Sequence, residues 1–294
     1  MVTNPSQLNF PSLKLLTLMP SPLVKFDLSK LLIAIALAVG AVVVLFPLIF
    51  VLLTSFAPSD YRPSNTLLPS SLSWANYVKA WTQADFALGF ANSTLVAIGV
   101  TGLQILTSAL AGYALARLEF WGRNAVLLLV IATLIIPFQL LVIPIFWILK
   151  FGHLINTYGA LILPTAANGF GIFLMRQYIQ TIPIELEEAA MLDGANRFQV
   201  LVQVILPLCR PALVTLFLFT FIGEWNDLFK PLVFTSKPEL RTVQIILAGF
   251  QELYTADWSL LMAAVMIATL PIMLLFAIAQ KQLLRGVATT GLKG

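Results

Sequence analysis

Charged residues are scarce in this chain: they make up 10% of its 294 residues, whereas hydrophobic residues make up 59%. A soluble globular domain carries about 25% charged residues, so this composition excludes an ordinary soluble fold. The apolar residues fall in runs of about 20, the length that an α-helix needs to cross the hydrocarbon core of a bilayer. Alternating segments of about ten residues, typical of membrane β-barrels, do not recur. The chain is therefore predicted to be an all-α, polytopic membrane protein.

Cysteine and histidine each occur once, which excludes several kinds of site. Cys209 alone forms neither an intrachain disulfide nor a cysteine-based metal centre, and we expect it to be a small buried hydrophobic residue. His153 is predicted to be a surface or packing residue rather than a catalytic base. The chain also lacks the GxxxxGK[ST] nucleotide-binding loop and the HExxH zinc motif. We therefore predict that the protein is not an enzyme, holds no metal or cofactor of its own, and takes its energy from an ion gradient or a partner protein.

Six apolar stretches predict six membrane-spanning helices. Pro164 interrupts the fourth stretch, and Pro207 and Pro211 bend or cap the fifth. The proline-rich N-terminal residues, 1–29, show no signal-peptide cleavage site and are predicted to form a cytoplasmic tail, followed by a transmembrane domain over 30–294. The six spans are predicted at 31–53, 91–116, 125–149, 157–179, 204–223 and 259–279.

Lysine and arginine indicate the orientation of the spans. With both termini in the cytoplasm, eleven basic residues lie inside and six outside, which agrees with the positive-inside rule. The basic residues are scattered singly between apolar runs, so they do not form the basic patch expected of a nucleic-acid-binding protein. We therefore predict that the chain is surrounded by membrane lipid and does not bind nucleic acid.

The segment 181–208 combines the features of a short helix, a tight turn and a second helix. Pro183 suits a first helical position, where its missing N–H costs nothing. Gly194 can adopt the left-handed conformation that ends a helix, and Asn196 can cap the next helix. Three acidic residues complement the positive end of the first helix dipole: Glu185, Glu187 and Glu188.

The surface of this short helix favours a protein partner. Ala190 and Gly194 lie four residues apart, on one helix face that carries almost no side chain. The alternative is an amphipathic helix that lies on anionic lipid, but such helices carry lysine and arginine on their polar face. This helix is acidic, so close docking into a groove of another protein is the better interpretation.

The same segment resembles the EAA signature of ABC-importer membrane subunits, which reads Glu-Ala-Ala, three residues, Gly, nine residues, Ile-x-Leu-Pro. Val204 stands where isoleucine is usual, a departure that preserves the shape. The resemblance implies that residues 181–207 form a coupling segment that docks into a cleft of a cytoplasmic ATPase. The ATPase-coupling residues that it implies are Glu185, Glu188, Ala189, Ala190, Asp193, Gly194, Leu206 and Pro207.

Four further stretches resemble the carbohydrate branch of that family, similar to the maltose and glycerol-phosphate permease subunits: 111–124, 154–164, 221–234 and 285–294. The resemblance runs from about residue 30 to the end. At 150–153 the chain has Lys-Phe-Gly-His where the branch usually has Lys-x-Gly-Leu, so this outer loop is expected to differ.

This resemblance implies a type I ABC-importer permease fold and import of a sugar, an oligosaccharide or a polyol. The implied partners are a homologous second permease, two ATPase subunits that bind ATP and Mg, and an extracytoplasmic solute-binding protein. The implied location is the bacterial plasma (inner) membrane.

Polar residues inside membrane spans are costly and are candidates for a substrate pathway. Asn168 and Gln139 are such candidates, although amides also join packed helices. Trp225, Asn226 and Asp227 follow the fifth span, and aromatic and amide groups suit sugar hydroxyls. Tryptophan is also a common anchor at the membrane interface.

The alternative function is a secondary transporter that is driven by ions and works alone. Such proteins often contain internal repeats and intramembrane charges. Here the predicted spans are almost free of ionisable residues and no matching halves are found. The coupling segment therefore favours an importer subunit.

Overall fold

The computed structural model describes residues 28–58, 61, 69, 71–253 and 257–290, with side chains as far as residue 280. Within these ranges every regular element is a helix, as predicted. The predicted tail, 1–29, lies outside them except for its last two residues. The helices of the described ranges are α1 (Leu28–Ser55), α2 (Ala75–Gln83), α3 (Phe86–Arg117), α4 (Arg123–Thr133), α5 (Phe138–Phe151), α6 (Tyr158–Ile162), α7 (Gly169–Gln180), α8 (Glu185–Leu192), α9 (Arg197–Gln199), α10 (Leu206–Leu208), α11 (Arg210–Trp225), α12 (Phe229–Phe234), α13 (Val243–Leu253) and α14 (Trp258–Thr290). Short 3₁₀ turns cover Leu163–Thr165 and Pro238–Leu240, and a π-helical turn over Val200–Ile205 joins α9 to α10.

Three helices are each long and apolar enough to cross a bilayer: α1, α3 and the Trp258–Gln280 part of α14. Three helix pairs qualify only together. The pair α4 and α5 is bent by 104°, Tyr158–Thr165 and α7 by 44°, and Arg197–Leu208 and α11 by 78°. The described residues thus contain three candidate spans, or up to six if each bent pair is one span. The predicted six is the upper figure.

The structure differs from the prediction in three stretches. The third span was expected to be continuous over 125–149, but it breaks between α4 and α5. Pro137 is extended there (φ −61°, ψ 136°) and has no N–H for a helical hydrogen bond. The supposed loop between the fifth and sixth spans contains α12 and α13, and the polar stretch at 54–90 contains α2. These helices are shorter than a membrane span or contain many polar residues. A search of the sequence for apolar runs of about 20 residues therefore does not detect them.

The chain divides into two compact units between Ile49 and Phe50. The first unit contains most of α1, whose most apolar window has no buried residue. In the second unit, α3 packs against α7 and α11. A Cβ at Gly112 of α3 would lie 2.7 Å from the Cβ of Met175 in α7, so only glycine allows this close approach. This packing brings the end of α3 to the segment that follows α7.

Candidate functional site

The turn after α8 has the predicted backbone conformation. Gly194 adopts φ +89°, and the N–H of Ala195 donates to the carbonyl of Ala190 at 3.0 Å. Asn196 then caps α9: its Oδ1 accepts from the N–H of Gln199 at 2.9 Å, while Gln199 Oε1 accepts from the N–H of Asn196 at 2.8 Å. Both conformational predictions are confirmed. Pro183, in contrast, lies two residues before α8 rather than at its first position.

One acidic residue of α8 is buried, although sequence reasoning treated the three alike. The side chain of Glu187 is 2% exposed, and its Oε1 accepts from Arg117 Nε at 2.5 Å. Its other oxygen, Oε2, accepts from the hydroxyl of Tyr113 at 3.1 Å. The bond between Arg117 and Glu187 is charge-assisted, a class that is stronger than hydrogen bonds between neutral groups. Glu187 thus joins α8 to the last turns of α3.

Arg117 extends this connection to the end of α7. Its Nη2 donates to the carbonyl oxygens of Ile179, at 2.9 Å, and Ile182, at 2.6 Å. Ile179 lies in the last turn of α7 and Ile182 lies two residues after it, and carbonyls near a helix C-terminus interact favourably with a cation. We call Tyr113, Arg117 and Glu187 the Arg117 clasp, because it ties α3, α7 and α8 together. Arg117 is the last residue of a long apolar helix. This position was the only feature of the sequence that could have indicated its role.

Most of the predicted coupling residues lie on the surface. Exposed among them are Glu185, Glu188, Ala189, Asp193, Gly194 and Pro207. Ala190 and Leu206 instead pack partly against the core cluster that contains Val200 and Ile205. Ala190 and Gly194, predicted to share a bare face, line one shallow surface cavity of about 370 Å³.

Two apolar residues of this surface were not predicted. Leu192 is 89% exposed and Phe198 is 66% exposed, on either side of the Gly194 turn. Large apolar side chains that cluster on a surface indicate a site of protein or membrane contact. The surface around Gly194 therefore combines carboxylates with apolar side chains.

The predicted pathway residues do not come together. Trp225 is buried: its Nε1 donates to the carbonyl of Ala268 at 3.0 Å, and its ring stacks on Phe221 at 5.9 Å. Gln139, on α5, and Asn226, after α11, are exposed. Trp225 is therefore a core residue at this position.

The other two candidates, Asn168 and Asp227, each lie just before a helix and bond its first turn. Asn168 Oδ1 accepts from the N–H of Phe170 at 2.7 Å, and so caps α7. Asp227 Oδ1 accepts from the N–H of Phe229 at 2.9 Å, just before α12. Both side chains therefore have a local structural role, and Asn168 also lines a cavity.

A second buried ion pair lies close to Asp227, and sequence reasoning placed none of its groups together. Lys230 Nζ lies 2.5 Å from Glu224 Oε2, 2.8 Å from Thr165 Oγ1 and 3.4 Å from Asp227 Oδ2. The hydroxyl of Thr165 donates to Glu224 Oε1 at 3.1 Å. We call these four residues the Lys230 cluster. It joins the turn after α6 to the end of α11 and to α12.

A cavity of about 410 Å³ adjoins the Lys230 cluster, between α3, α7 and α11. The hydroxyl of Thr220 in its wall donates to Gln104 Oε1 at 2.8 Å, and Gln104 Nε2 donates to the carbonyl of Thr165 at 2.7 Å. The cavity is thus polar on one side and aromatic on the other. Its lining includes Asn168, Phe170, Phe219, Thr220, Gly223 and Glu224.

The family model "Binding-protein-dependent transport system inner membrane component" matches residues 104–289, which include the Arg117 clasp, the Gly194 turn and the Lys230 cluster. The chain belongs to this family. This permease is 34% identical to the arabinooligosaccharides transport system permease protein AraQ of Halalkalibacterium halodurans, over 90% of this chain and 96% of AraQ. It is 32% identical to the trehalose/maltose transport system permease protein MalG of Thermococcus litoralis, over 91% of this chain and 98% of MalG.

A solved structure shares the fold of this permease. It is the crystal structure of a bacterial ABC transporter involved in the import of the acidic polysaccharide alginate. One of its chains matches with a TM-score of 0.75 at 23% identity, over 90% of this chain and 99% of that chain. The family match and the similarity to AraQ and MalG confirm the resemblance to sugar ABC-transporter permeases.

Proposed function

We propose that this permease is one transmembrane subunit of an ATP-driven importer for a sugar, an oligosaccharide or a polyol in the bacterial plasma membrane. A homologous permease completes the pathway, and an extracytoplasmic solute-binding protein delivers the substrate. Two cytoplasmic ATPase subunits bind ATP and Mg. The observation that carries the proposal is the α8 segment: a stiff turn with an exposed acidic and apolar surface and a buried connection to two membrane helices.

The contacts of α8 suggest how the ATPases drive the transport cycle. Glu188 is exposed and can meet a basic group of the ATPase, while Leu192 and Phe198 supply apolar contact area. Because the buried Glu187 of α8 is bonded to Arg117, a displacement of α8 displaces the ends of α3 and α7 as well. The Arg117 clasp would therefore transmit ATPase closure to the membrane helices.

A secondary transporter is the second candidate, and the buried Lys230 cluster is the observation that favours it, since buried ionisable groups can couple ion movement to transport. However, the Lys230 ammonium already contacts two carboxylates, and the exposed turn after α8 would have no role in a transporter that works alone. The importer subunit explains both regions.

We place both termini in the cytoplasm, because eleven basic residues then lie inside and six outside. Reporter enzymes fused after Lys150 and near Lys237 are expected to be extracytoplasmic, and those fused after Arg123 and Gly294 cytoplasmic. A cytoplasmic reporter signal near Lys237 would refute this six-span orientation.

The coupling role is tested at Gly194. Leucine there is penalised by the left-handed backbone, by about 1–2 kcal/mol, and adds bulk to the docking surface. No atom lies within 4 Å of a Cβ built at Gly194, so the added Cβ itself contacts no other residue of this chain. We expect Gly194→Leu to impair coupling more than Glu188→Gln, which keeps the shape and loses only the charge. The measurement is ATPase activity and sugar uptake in vesicles that contain all subunits.

The matched control is Gly194→Asn, because asparagine tolerates the left-handed conformation. If the turn alone matters, the asparagine variant keeps full coupling; if the docking surface matters, it loses part of it. Transport and assembly of Gly194→Leu at the level of the parent would show that the coupling role is wrong.

A further inference from the structure

We propose that the cavity beside the Lys230 cluster binds a neutral sugar ring of the transported substrate and rejects acidic sugars. This inference rests on the proposed function and deepens it, since it names a substrate class and the residues that select it.

The aromatic side of the cavity suits the apolar face of a sugar ring. Phe170 of α7 and Phe219 of α11 meet edge to face, with ring centroids 5.9 Å apart. Their side chains are 40% and 62% exposed, so both rings offer free surface. A volume of about 410 Å³ lies within the range of roughly 300–1,000 Å³ that is usual for ligand pockets. The open side leaves room for further sugar units.

The polar side of the cavity offers both donors and acceptors to hydroxyl groups. Asn168 uses its Oδ1 to cap α7, and no group among the described residues bonds its Nδ2, which remains a donor. Glu224 accepts one bond at each oxygen, from Lys230 and Thr165, and a carboxylate has about four lone-pair sites. A hydroxyl group can therefore donate to Glu224 and accept from Asn168.

The charges around the cavity exclude an acidic ligand. Among the described residues that line it, Glu224 is the only charged one. The Lys230 side chain is 4% exposed, lies behind Glu224, and faces two carboxylates, Glu224 and Asp227. The cluster thus carries two negative charges against one positive charge. A carboxylated or sulfonated sugar would place a further negative charge there without a cation to contact.

Gly223 provides a test that leaves the fold intact. It lies in α11 and lines the cavity, and no atom lies within 4 Å of a Cβ built there. Gly223→Leu therefore adds apolar volume at the cavity lining, and its Cβ meets no neighbouring atom. Gly40→Leu is the matched control, since Gly40 is also helical and also has nothing within 4 Å of a Cβ. Glu224→Gln removes the carboxylate charge from the lining while Lys230 keeps Asp227 as a partner.

The experiment uses the transporter complex that is purified through a tag on this chain and held in lipid nanodiscs. Binding of maltotriose, which is neutral, and of trigalacturonate, which is acidic, is followed by saturation-transfer NMR. We expect a maltotriose signal in the parent and in Gly40→Leu that falls by about tenfold or more in Gly223→Leu. Trigalacturonate should bind weakly, and its signal relative to maltotriose should rise by about tenfold or more in Glu224→Gln.

Three results would overturn the proposal: maltotriose binding unchanged in Gly223→Leu, no maltotriose binding to the parent complex, or trigalacturonate binding as strong as that of maltotriose. Loss of a second permease from the purified Gly223→Leu complex would also overturn it, because the cavity would then be a contact between subunits. The proposed function fails separately, if no ATPase copurifies with the parent chain.

Discussion

The two buried ion pairs of this permease have the same bond length and different surroundings. Arg117 Nε and Lys230 Nζ each lie 2.5 Å from a carboxylate oxygen. At Arg117 the guanidinium pairs with one carboxylate, Glu187, which also accepts from the Tyr113 hydroxyl, and Arg117 Nη2 donates to the carbonyls of Ile179 and Ile182. Around Lys230 there are two carboxylates for one ammonium, and one of them faces a cavity.

The difference between them indicates what each pair does. A buried ion pair is weak evidence for stability, because desolvation offsets much of the attraction. In the Arg117 clasp the ion pair is bonded to residues of three helices and to the carbonyl of Ile182, so it holds these helices in one arrangement. Glu224 can accept further hydrogen bonds and lines a cavity. The pair of Glu224 and Lys230 therefore presents a polar surface to a ligand.

The largest effect is expected when one partner of the Arg117 clasp is removed. Arg117→Met removes the cation that is bonded to the buried Glu187 and the Nη2 donor of the Ile182 carbonyl. We expect the free energy of unfolding to fall by about 3–5 kcal/mol. The measurement is thermal and denaturant unfolding of the purified permease complex in detergent.

The double variant Arg117→Met with Glu187→Leu is the control for this prediction. It removes both charges, so no unpaired buried charge remains, and we expect it to recover more than half of the lost stability. A double variant as unstable as the single one would mean that the carbonyl contacts of Arg117, and not its pairing with Glu187, are what stabilise this region.

A smaller effect is expected at the Lys230 cluster. Lys230→Met leaves Glu224 and Asp227 without a cation, but their side chains are 10% and 20% exposed, so water from the cavity can solvate them. We expect a loss of about 1–3 kcal/mol. Lys237→Met, at an exposed lysine, is the control and should change stability by about 0.5 kcal/mol or less. If Lys230→Met costs as much as Arg117→Met, the two pairs do not differ in the way proposed.

Much of the architecture was predictable from hydropathy. The runs that became α1, α3 and α14 are continuous and apolar, and a helix is the structure that satisfies backbone hydrogen bonds within one segment in lipid. The bend before α11 was expected from Pro207 and Pro211. The break between α4 and α5 was not, because Pro137 can kink or end a helix according to the packing around it.

The site was predictable only in part. The Gly194 turn and the Asn196 cap depend on neighbouring residues, so their local signals were sufficient. Glu187 could not be told apart from Glu185 and Glu188, because all three occupy the first turns of the same short helix. Trp225 matched a sugar-binding pattern, but the residue lies in the core because α14 packs against it.

The amino-acid sequence by itself determined that the chain is a helical membrane protein of the permease family, with a sharp turn at Gly194. Composition, span length and motif spacing are properties of the chain before it folds. Only the tertiary structure decided which carboxylates became buried and paired. Arg117 and Glu187 are separated by 70 residues, and Lys230 and Thr165 by 65. No local rule relates such positions, since their distance is set by how α3, α7 and α11 pack. The Arg117 clasp and the cavity beside Glu224 both depend on that packing.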